Sequence, residues 1–372
     1  MSGTLAIVAF FSGLLFIILI HEAGHYLAAR KLGFQVLEYF VGFGPRLWSF
    51  RRGEIEYGVK ALPLGGYVKI AGMNPYESVA PEDLPRSYGA KPIWQRAVVI
   101  LSGPGSHFVV AAILFAMWLF FFGDPRSPVP VVGVVDTTLE NGQPSPAAAA
   151  GLRPGDRIVA VDDLADPTPD QLLVYSSGHV GEPVVFTIER DGQELEITMT
   201  PEQDVVGGET IGRIGIRLGY DKPGLVGSVV GGVKEVGRAI QTSVHQITRI
   251  FGPEGIGRVF SLLFTDEPRS ANDPTSVVGI GQAVGQTGSA GDWGAVLYFL
   301  AFVTVFIGLI NLLPLPPFDG GHLAVLAIEK VRGRTIDMRK LIPVSAVVMA
   351  FFVVFVLATI ILDITKPIQI AP

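Results

Sequence analysis

The chain has 372 residues, of which 49% are hydrophobic and 17% are charged, with a net charge of −6 and no cysteine. This composition is too apolar for an ordinary soluble protein and too charged for membrane helices alone, so we expect membrane helices together with one soluble module. It excludes disulfides and cysteine-ligated metals, leaving histidines and carboxylates as ligands for any zinc ion, and nothing in it suggests nucleic-acid binding.

The first hydrophobic run predicts a membrane-spanning helix within residues 1–31. A secretory signal peptide would begin with basic residues, and none precedes this run, so we expect that it is not cleaved. Arg30 and Lys31 end the span.

This span contains the pattern His-Glu-x-x-His at His21, Glu22 and His25. In a helix the two histidines lie on one face, where they can share a metal ion, and Glu22 lies within reach of a water molecule at that metal. The pattern is typical of zinc metalloproteases. The alternative is a pair of helix histidines without a metal, but ionisable residues are costly in an apolar span and usually mark a function there.

Residues 32–91 are rich in glycine and aromatic residues, which predicts short strands or hairpins at the cytosolic side of the membrane. An extended edge in this region could accept an unwound substrate by strand addition. A compact cytosolic hairpin without a substrate role is the alternative.

A second span is predicted at residues 92–122, and it contains Gly103, Pro104, Gly105 and His107. Gly-Pro-Gly inside a membrane helix allows close backbone approach and a bend. For His107 we expect a hydrogen-bonding role or contact with substrate rather than metal ligation.

Residues 125–202 turn polar and resemble a bacterial PDZ domain, through the pattern Ser-Pro-Ala-Ala-x-Ala-Gly-Leu-x-x-Gly-Asp-x-Ile that begins at Ser145. Two alternating segments flank Asp191-Gly192, a two-residue turn signal for a β-hairpin. PDZ domains bind peptide ends or segments by adding a strand, whereas a spacer or size filter is the alternative role.

Residues 203–292 are predicted to be an amphipathic helical region after the PDZ-like domain. An apolar stripe extends from Val226 to Phe251 at helical spacing, and it could lie on the membrane surface or pack under the PDZ-like domain, with packing as the default. His245 falls on the polar side of this helix and needs no metal.

A third span is predicted at residues 293–331, and a proline-rich break follows Asn311. Prolines cannot continue a straight helix, and the freed backbone groups must line a cavity or find other partners. Asp319 is the lone carboxylate at this break. It could cap the restarted helix, but two histidines that need a third ligand favour metal ligation. His322 is expected to point elsewhere.

A loop at residues 332–340 and a fourth span at residues 341–363 complete the chain. Four spans put both termini on one side, and the basic loops then face the cytoplasm. The termini and the PDZ-like domain are therefore predicted to be extracytoplasmic. This topology brings Asp319 and the first-span motif to a similar depth, toward the cytosolic side.

Together these features resemble the site-2 proteases, which are membrane-embedded zinc metalloproteases. The resemblance depends on the motif at His21, the PDZ-like insert, and the pattern Asn-x-x-Pro-x-Pro-x-x-Asp-Gly-Gly that begins at Asn311. Residues 39–48, 58–73 and 276–279 are most similar to actinobacterial members that cleave anti-sigma factors. The implied fold is a polytopic α-helical membrane protein with four transmembrane helices, a membrane-associated β-hairpin region and an inserted extracytoplasmic PDZ-like α+β domain.

The resemblance implies that His21, His25 and Asp319 bind Zn2+, that Glu22 is the catalytic base and that Asn311 holds or orients the substrate. It also assigns a substrate-guiding, membrane-dipping β-hairpin region to residues 42–45 and 63–72. The candidate substrate-binding residues are Asn311, Gly42, Phe43, Gly44, Gly65, Gly66, Tyr67 and His107. The family usually has asparagine where this chain has His107, which leaves the contribution of that position open.

The implied function is hydrolysis of peptide bonds within single-span membrane proteins, such as anti-sigma factors already cut by a first protease, or remnant signal peptides. The implied location is the bacterial cytoplasmic membrane, with the lipid bilayer and peptide ends at the PDZ-like domain as further partners. The sequence does not predict an oligomeric state. Two other classes remain: a catalytically silent PDZ-type membrane adaptor and a metal transporter.

Overall fold

The structure of the chain is a computed structural model. It describes residues 3–74, 76–124, 130–139, 141–206, 209–220, 222–270 and 273–368. The predicted domain boundaries at Met1 and Pro125 lie outside these residues. The chain divides into two compact units, a discontinuous one of residues 1–115 and 231–372 and an inserted one of residues 116–230.

The helices and strands follow one another as α1 (Gly3–Lys31), β1 (Val36–Arg52), β2 (Ile55–Ile70), α2 (Ile93–Phe122), β3 (Val131–Val135), α3 (Pro146–Ala149), β4 (Arg157–Val161), β5 (Leu164–Ala165), α4 (Pro169–Gly178), β6 (Val184–Arg190), β7 (Gln193–Met199), β8 (Glu202–Val206), β9 (Glu209–Arg213), β10 (Ile216–Gly219), α5 (Gly224–Ile250), α6 (Pro253–Phe264), α7 (Val277–Ser289), α8 (Trp293–Asn311), α9 (Asp319–Arg332) and α10 (Ile342–Thr365).

Among the described residues, four helices are long and apolar enough to cross a membrane: α1, α2, α8 and the segment Met338–Thr365, which contains α10. Their exposed side chains are largely apolar, as expected for helices that face lipid. The predicted polytopic helical architecture is confirmed at this level.

The β1–β2 hairpin follows α1 and folds back on itself. Residues 38–41 pair with residues 66–69 on one side and with residues 56–59 on the other. Residues 55–60 in turn pair with 46–52. The two long strands therefore form four short antiparallel segments, and in the described strands 66–70 has a partner on one side only. Sequence analysis predicted short strands here, and the double pairing follows from the bend at the positive-φ residues Gly42 and Gly44.

A buried carboxylate ties α10 to the start of α7. Asp363 accepts hydrogen bonds from the backbone amides of Ser276 and Gly279, at 2.8 and 2.9 Å, and forms an ion pair with Arg269 at 2.6 Å. All of these groups are buried, and the carboxylate sits where a helix N-terminus favours negative charge. Helix α7 packs in turn against α1, with Gly288 facing Ala6 too closely to admit a side chain.

The inserted unit contains an antiparallel sheet in the order β10-β3-β4-β6-β7, with β5 paired to β4 and a separate β8–β9 hairpin. Its core includes Val132, Ile158, Phe186 and Ile188. Strand structure continues to Gly219, beyond the predicted end of the PDZ-like domain at residue 202. Sequence reasoning missed β8–β10 because these strands are short and because β10 pairs with β3, which is far away in the chain.

The first half of α5 presents its apolar stripe outward, whereas Phe251, at the end of the stripe, packs against Phe352 and Phe355 of α10. Val226, Val229 and Val233 are exposed, whereas the buried positions include Ser228 and Glu235. Packing was the default prediction for this stripe, and the exposed valines do not fit it, whereas Phe251 does pack. The exposed apolar face is the arrangement that the membrane-surface interpretation requires.

A buried ion pair in the inserted unit leads to a stability prediction. The Asp156 carboxylate accepts hydrogen bonds from the Arg190 guanidinium, at 2.6 and 2.7 Å, and from the Arg153 backbone amide. Burial raises the pKa of Asp156, but these hydrogen bonds outweigh it, so the pKa lies below its ordinary value. Such a carboxylate stabilises the folded unit above its ordinary pKa, and the contribution is lost as the pH falls through the lowered pKa.

We therefore expect Arg190→Met to lower the free energy of unfolding of this unit by roughly 2 kcal/mol at neutral pH, with the difference shrinking below about pH 4. Urea-dependent proteolysis of the full-length protein measures this, with thermolysin at neutral pH and pepsin at low pH. Arg157→Met is the matched control, because its 3.5 Å ion pair with Glu189 is exposed and should contribute little. A destabilisation by Arg190→Met of the same size at all pH values would show that it does not depend on the ionised Asp156 carboxylate.

Candidate metal centre

The His-Glu-x-x-His motif lies in the last third of α1. The His21 and His25 rings stand edge to face with centroids 4.7 Å apart, and both side chains are buried. The segment contains no proline and only one glycine, Gly24, so the helix continues through it. The two histidines therefore lie on one helix face, as predicted.

Asp319 is the first residue of α9. The chain leaves α8 at Asn311, turns through residues 312–318 and restarts as a helix at Asp319. Gly320 and Gly321 press against the backbone of this turn, where a Cβ atom would overlap it. The N-cap position belongs to Phe318, so Asp319 does not cap the helix and its carboxylate faces α1 instead.

The ligand atoms of these three residues form a nearly equilateral triangle. His21 Nε2 and His25 Nε2 are 3.1 Å apart, and Asp319 Oδ2 lies 3.3 and 3.4 Å from them. A tetrahedral ion with bonds of about 2.05 Å separates its ligand atoms by about 3.3 Å. The donor set, two imidazoles and one carboxylate, is also one that zinc accepts with an open fourth position. The residues therefore fit a zinc ion. Within the described residues, His322 is not part of this cluster.

In each histidine, the hydrogen bond made by one ring nitrogen determines whether the other nitrogen is free to bind a metal. His25 Nδ1 donates to the Val99 carbonyl oxygen of α2 at 2.8 Å, which leaves Nε2 as the lone-pair atom in the triangle. His21 Nδ1 is buried without a partner among the described residues. The His107 ring lies next to it, with ring centroids 5.0 Å apart, and His107 Nδ1 is likewise buried and unpartnered.

Glu22 lies beside the triangle but is not one of its three ligands. The Val68 backbone amide, in the hairpin segment 66–70, lies near its carboxylate. Gly66 lies against the Glu22 side chain, since a Cβ atom there would be 3.2 Å from Cγ of Glu22. A carboxylate adjacent to a metal site but outside its ligand set can act as a base.

The structure brings only some of the predicted substrate-binding residues to this centre. Gly65 and Gly66 lie against α1, and Gly42 packs on the Leu62 carbonyl. The Tyr67 hydroxyl donates to Glu38. The remaining predicted residues lie as follows: Phe43 and Gly44 at the hairpin bend, Asn311 half-buried at the end of α8, and His107 beside His21.

Close approach of α1 and α2 depends on two glycines. A Cβ atom at Gly24 would overlap the Ser102 carbonyl, and a Cβ atom at Gly103 would overlap the His25 imidazole. The Gly-Pro-Gly pattern predicted such an approach in general, but only the structure identifies Gly103 as the residue in contact with His25. By contrast, nothing lies within 4 Å of a Cβ atom built at Gly105.

Sequence reasoning missed the buried ion pair that links α2 to α9. Arg96 Nη1 donates to Glu329 Oε2 at 2.9 Å, and both side chains are buried. Glu329 Oε1 also accepts from the Ile336 amide. The pair connects the helix that supplies the Val99 carbonyl with the helix that begins at Asp319. Arg96 follows Trp94 at the start of an apolar run, a signal that could have indicated a buried partner.

Comparisons with known proteins agree with this geometry. Peptidase family M50 matches residues 9–356. Zinc metalloprotease Rip1 of Mycobacterium tuberculosis is 34% identical over 408 aligned residues that cover 98% of both chains. Rip1 of Mycolicibacterium smegmatis is 33% identical, also over 98% of both chains. Zinc metalloprotease RasP of Geobacillus kaustophilus is 28% identical over 87% of this chain and 89% of its own.

The contact between Gly103 and His25 gives a prediction for zinc binding. Gly103→Ala should displace the His25 ring from the triangle and lower zinc affinity at least tenfold, the usual cost of disturbing a group that holds a metal ligand. Zinc content after dialysis against a chelator, measured by mass spectrometry, checks this. Gly105→Ala, two residues away in the same helix, should retain zinc like the wild type. Equal zinc content in both variants would show that the close approach does not control the site.

Proposed function

The chain belongs to peptidase family M50, the site-2 protease family of zinc metalloproteases, and from this membership we propose that it cleaves peptide bonds within membrane-spanning segments of single-span proteins. The observation that carries the proposal is the triangle of His21 Nε2, His25 Nε2 and Asp319 Oδ2, with Glu22 beside it, inside a unit of apolar helices.

In this proposal His21, His25 and Asp319 hold the zinc ion, and Glu22 is the general base. When bound, zinc acidifies water and polarises the scissile carbonyl. Glu22 takes the proton of the attacking water and delivers it to the leaving amine. Gly66 lies against the Glu22 side chain and limits its movement, and the Val99 carbonyl fixes the tautomer of His25.

The substrate segment must be extended before it can be cut. A helical segment hides its carbonyls in i→i−4 hydrogen bonds, so it has to unwind locally. The segment 66–70 has a free side next to Glu22, and a substrate strand added there would present its carbonyls beside the triangle. We propose that Gly65 and Gly66, which let this segment lie close to α1 and Glu22, bring the added strand near the triangle, and that Asn311 and His107 also contact the substrate.

Two substitutions test the roles of Glu22 and Asp319. Glu22→Gln should keep zinc but reduce cleavage of a single-span substrate by at least a hundredfold, because the base is lost and the ligands are not. Asp319→Ala should lose zinc as well as activity, because two imidazoles alone hold the ion weakly. Cleavage in liposomes and zinc content are measured on the same preparations. Retained cleavage in Glu22→Gln, or unaltered zinc in Asp319→Ala, would contradict the respective role.

The proposed location is the bacterial cytoplasmic membrane, with the metal centre toward the cytosolic side. The basic residues after α1 and around Lys330–Lys340 support this orientation, since such residues favour the cytoplasm. It places both termini and the inserted unit outside.

Anti-sigma factors already cut by a first protease, and remnant signal peptides, are the proposed substrates.

We propose that the inserted unit is a PDZ-like domain that binds peptide ends. A groove with a cavity of about 100 Å³ lies between α4 and the edge strand β10, lined by apolar side chains that include Leu172, Leu173, Ile216 and Leu218. In the described sheet β10 is terminal, so a peptide strand can add to it while one aliphatic side chain fills the cavity.

Leu173→Arg tests this groove, because a charged side chain at its exposed rim should block an apolar peptide end. Binding of a short labelled peptide with a C-terminal valine to the full-length protein, measured by fluorescence anisotropy, should weaken at least tenfold. Leu195→Arg is the matched control on β7 at the other end of the sheet, and it should change binding less than twofold. Equal binding in both variants would favour the spacer role instead.

A further inference from the structure

A polar cavity of about 800 Å³ lies between the end of α1, residues 33–36 and the tip of the β1–β2 hairpin. Its charged lining consists of Arg30, Arg52, Arg86 and Glu54, and Tyr26 and Tyr57 add hydroxyl groups. None of these residues belongs to the zinc triangle or to the groove of the inserted unit.

The charges in this cavity are unbalanced. Arg86 binds both carboxylate oxygens of Glu54, at 2.9 and 3.0 Å, so the acid is already neutralised. Arg30 donates to the Tyr26 hydroxyl at 3.0 Å, and that hydroxyl is 2.6 Å from the Tyr57 hydroxyl. In the part of the chain that the structure describes, neither Arg30 nor Arg52 has a carboxylate partner. Two guanidinium groups therefore face the cavity with their charge uncompensated.

The cavity lies where a membrane surface is expected. Arg30 lies in the last turn of α1, an apolar helix that is long enough to cross a membrane and ends at Lys31. On the hairpin, the exposed side chains of Leu47, Trp48 and Phe50 precede the arginines of the tip. Aromatic residues followed by basic residues are typical of the boundary between acyl chains and headgroups.

We propose that this cavity binds the phosphate headgroup of an anionic phospholipid. Arg30 and Arg52 would donate to the phosphate oxygens, and the Tyr57 hydroxyl, which also lines the cavity, would be a further donor. The exposed Phe50 and Trp48 would contact the acyl chains. A zwitterionic lipid fits less well, because its ammonium group adds a positive charge beside Arg30 and Arg52, and Glu54 is already paired with Arg86. This proposal goes beyond the proteolytic function and does not depend on it.

The occupied cavity would bridge two parts of the metal centre. Tyr26 directly follows the ligand His25 on α1, while Tyr57 belongs to the hairpin whose segment 66–70 contacts Glu22. A lipid held by both elements would therefore stabilise their contact.

Native mass spectrometry of the full-length protein in detergent, titrated with phosphatidylglycerol or phosphatidylcholine, tests the proposal. We expect retention of phosphatidylglycerol in preference to phosphatidylcholine. Arg30→Gln/Arg52→Gln should weaken phosphatidylglycerol binding at least tenfold, because two charge-assisted contacts are lost. Arg30→Lys/Arg52→Lys, which keeps the charge but loses the forked geometry, should fall between this variant and the wild type. Unchanged zinc content verifies that each variant is folded.

The control is Arg46→Gln/Arg51→Gln, which removes two positive charges from the same hairpin outside the cavity and should change binding less than twofold. An equal loss in both double variants would show a diffuse charge effect and overturn the proposal. Equal retention of the two lipids would do the same. Displacement of the lipid by inorganic phosphate or by an acidic peptide at similar concentration would assign the cavity to a soluble anion or to a protein segment instead.

Discussion

The high cost of burying ionisable groups among apolar helices governs the arrangement around α1. The ligand atoms of two imidazoles and the Asp319 carboxylate lie within 4.8 Å of one another there, and Glu22 is next to His21 in the chain. Each of these groups would be strongly destabilising if left alone. Each of them lies against a group from another element: His25 donates to the Val99 carbonyl, Gly66 lies against Glu22, and Asp319 faces both histidines. The buried charges of Arg96 and Glu329 likewise neutralise each other, between the helices that supply Val99 and Asp319. The position of α1, α2, α9 and the hairpin thus follows from satisfying these charges.

Small residues make that convergence geometrically possible. Without a hydrophobic driving force between helices in lipid, close packing has to come from backbones that approach one another. Gly24 and Gly103 bring α1 and α2 together at the histidines, and Gly320 and Gly321 let the turn after α8 fold tightly enough to aim Asp319 inward. The same glycine patterns are weak signals in a sequence, because they indicate close approach without naming the partner.

Much of the centre could be predicted because it depends on local spacing. The separation of His21 and His25 by one helical turn and the four apolar runs are readable from the chain, and counting spans was enough to predict that Asp319 would meet them. The roles of Glu22, Asn311 and His107 in catalysis and substrate binding remain predictions. What sequence reasoning missed involves distant partners: the pairing of residues 38–41 on both sides, the place of β10 beside β3, and the contact of Gly103 with His25. For the stripe of α5 the sequence left two positions open, since an apolar helix face can be covered by protein or by lipid.

The pairing of β3 with β10 also bears on how such a chain can evolve. These are the first and last strands of the inserted unit, and Val131 lies directly opposite Gly219. The chain therefore enters and leaves the sheet of this unit at adjacent points, and the close contact of Gly123 with the Tyr220 backbone keeps the two connecting segments together as well. A unit joined in this way can diverge, duplicate or be exchanged as a cassette while the residues that surround His21, His25 and Asp319 stay under separate selection.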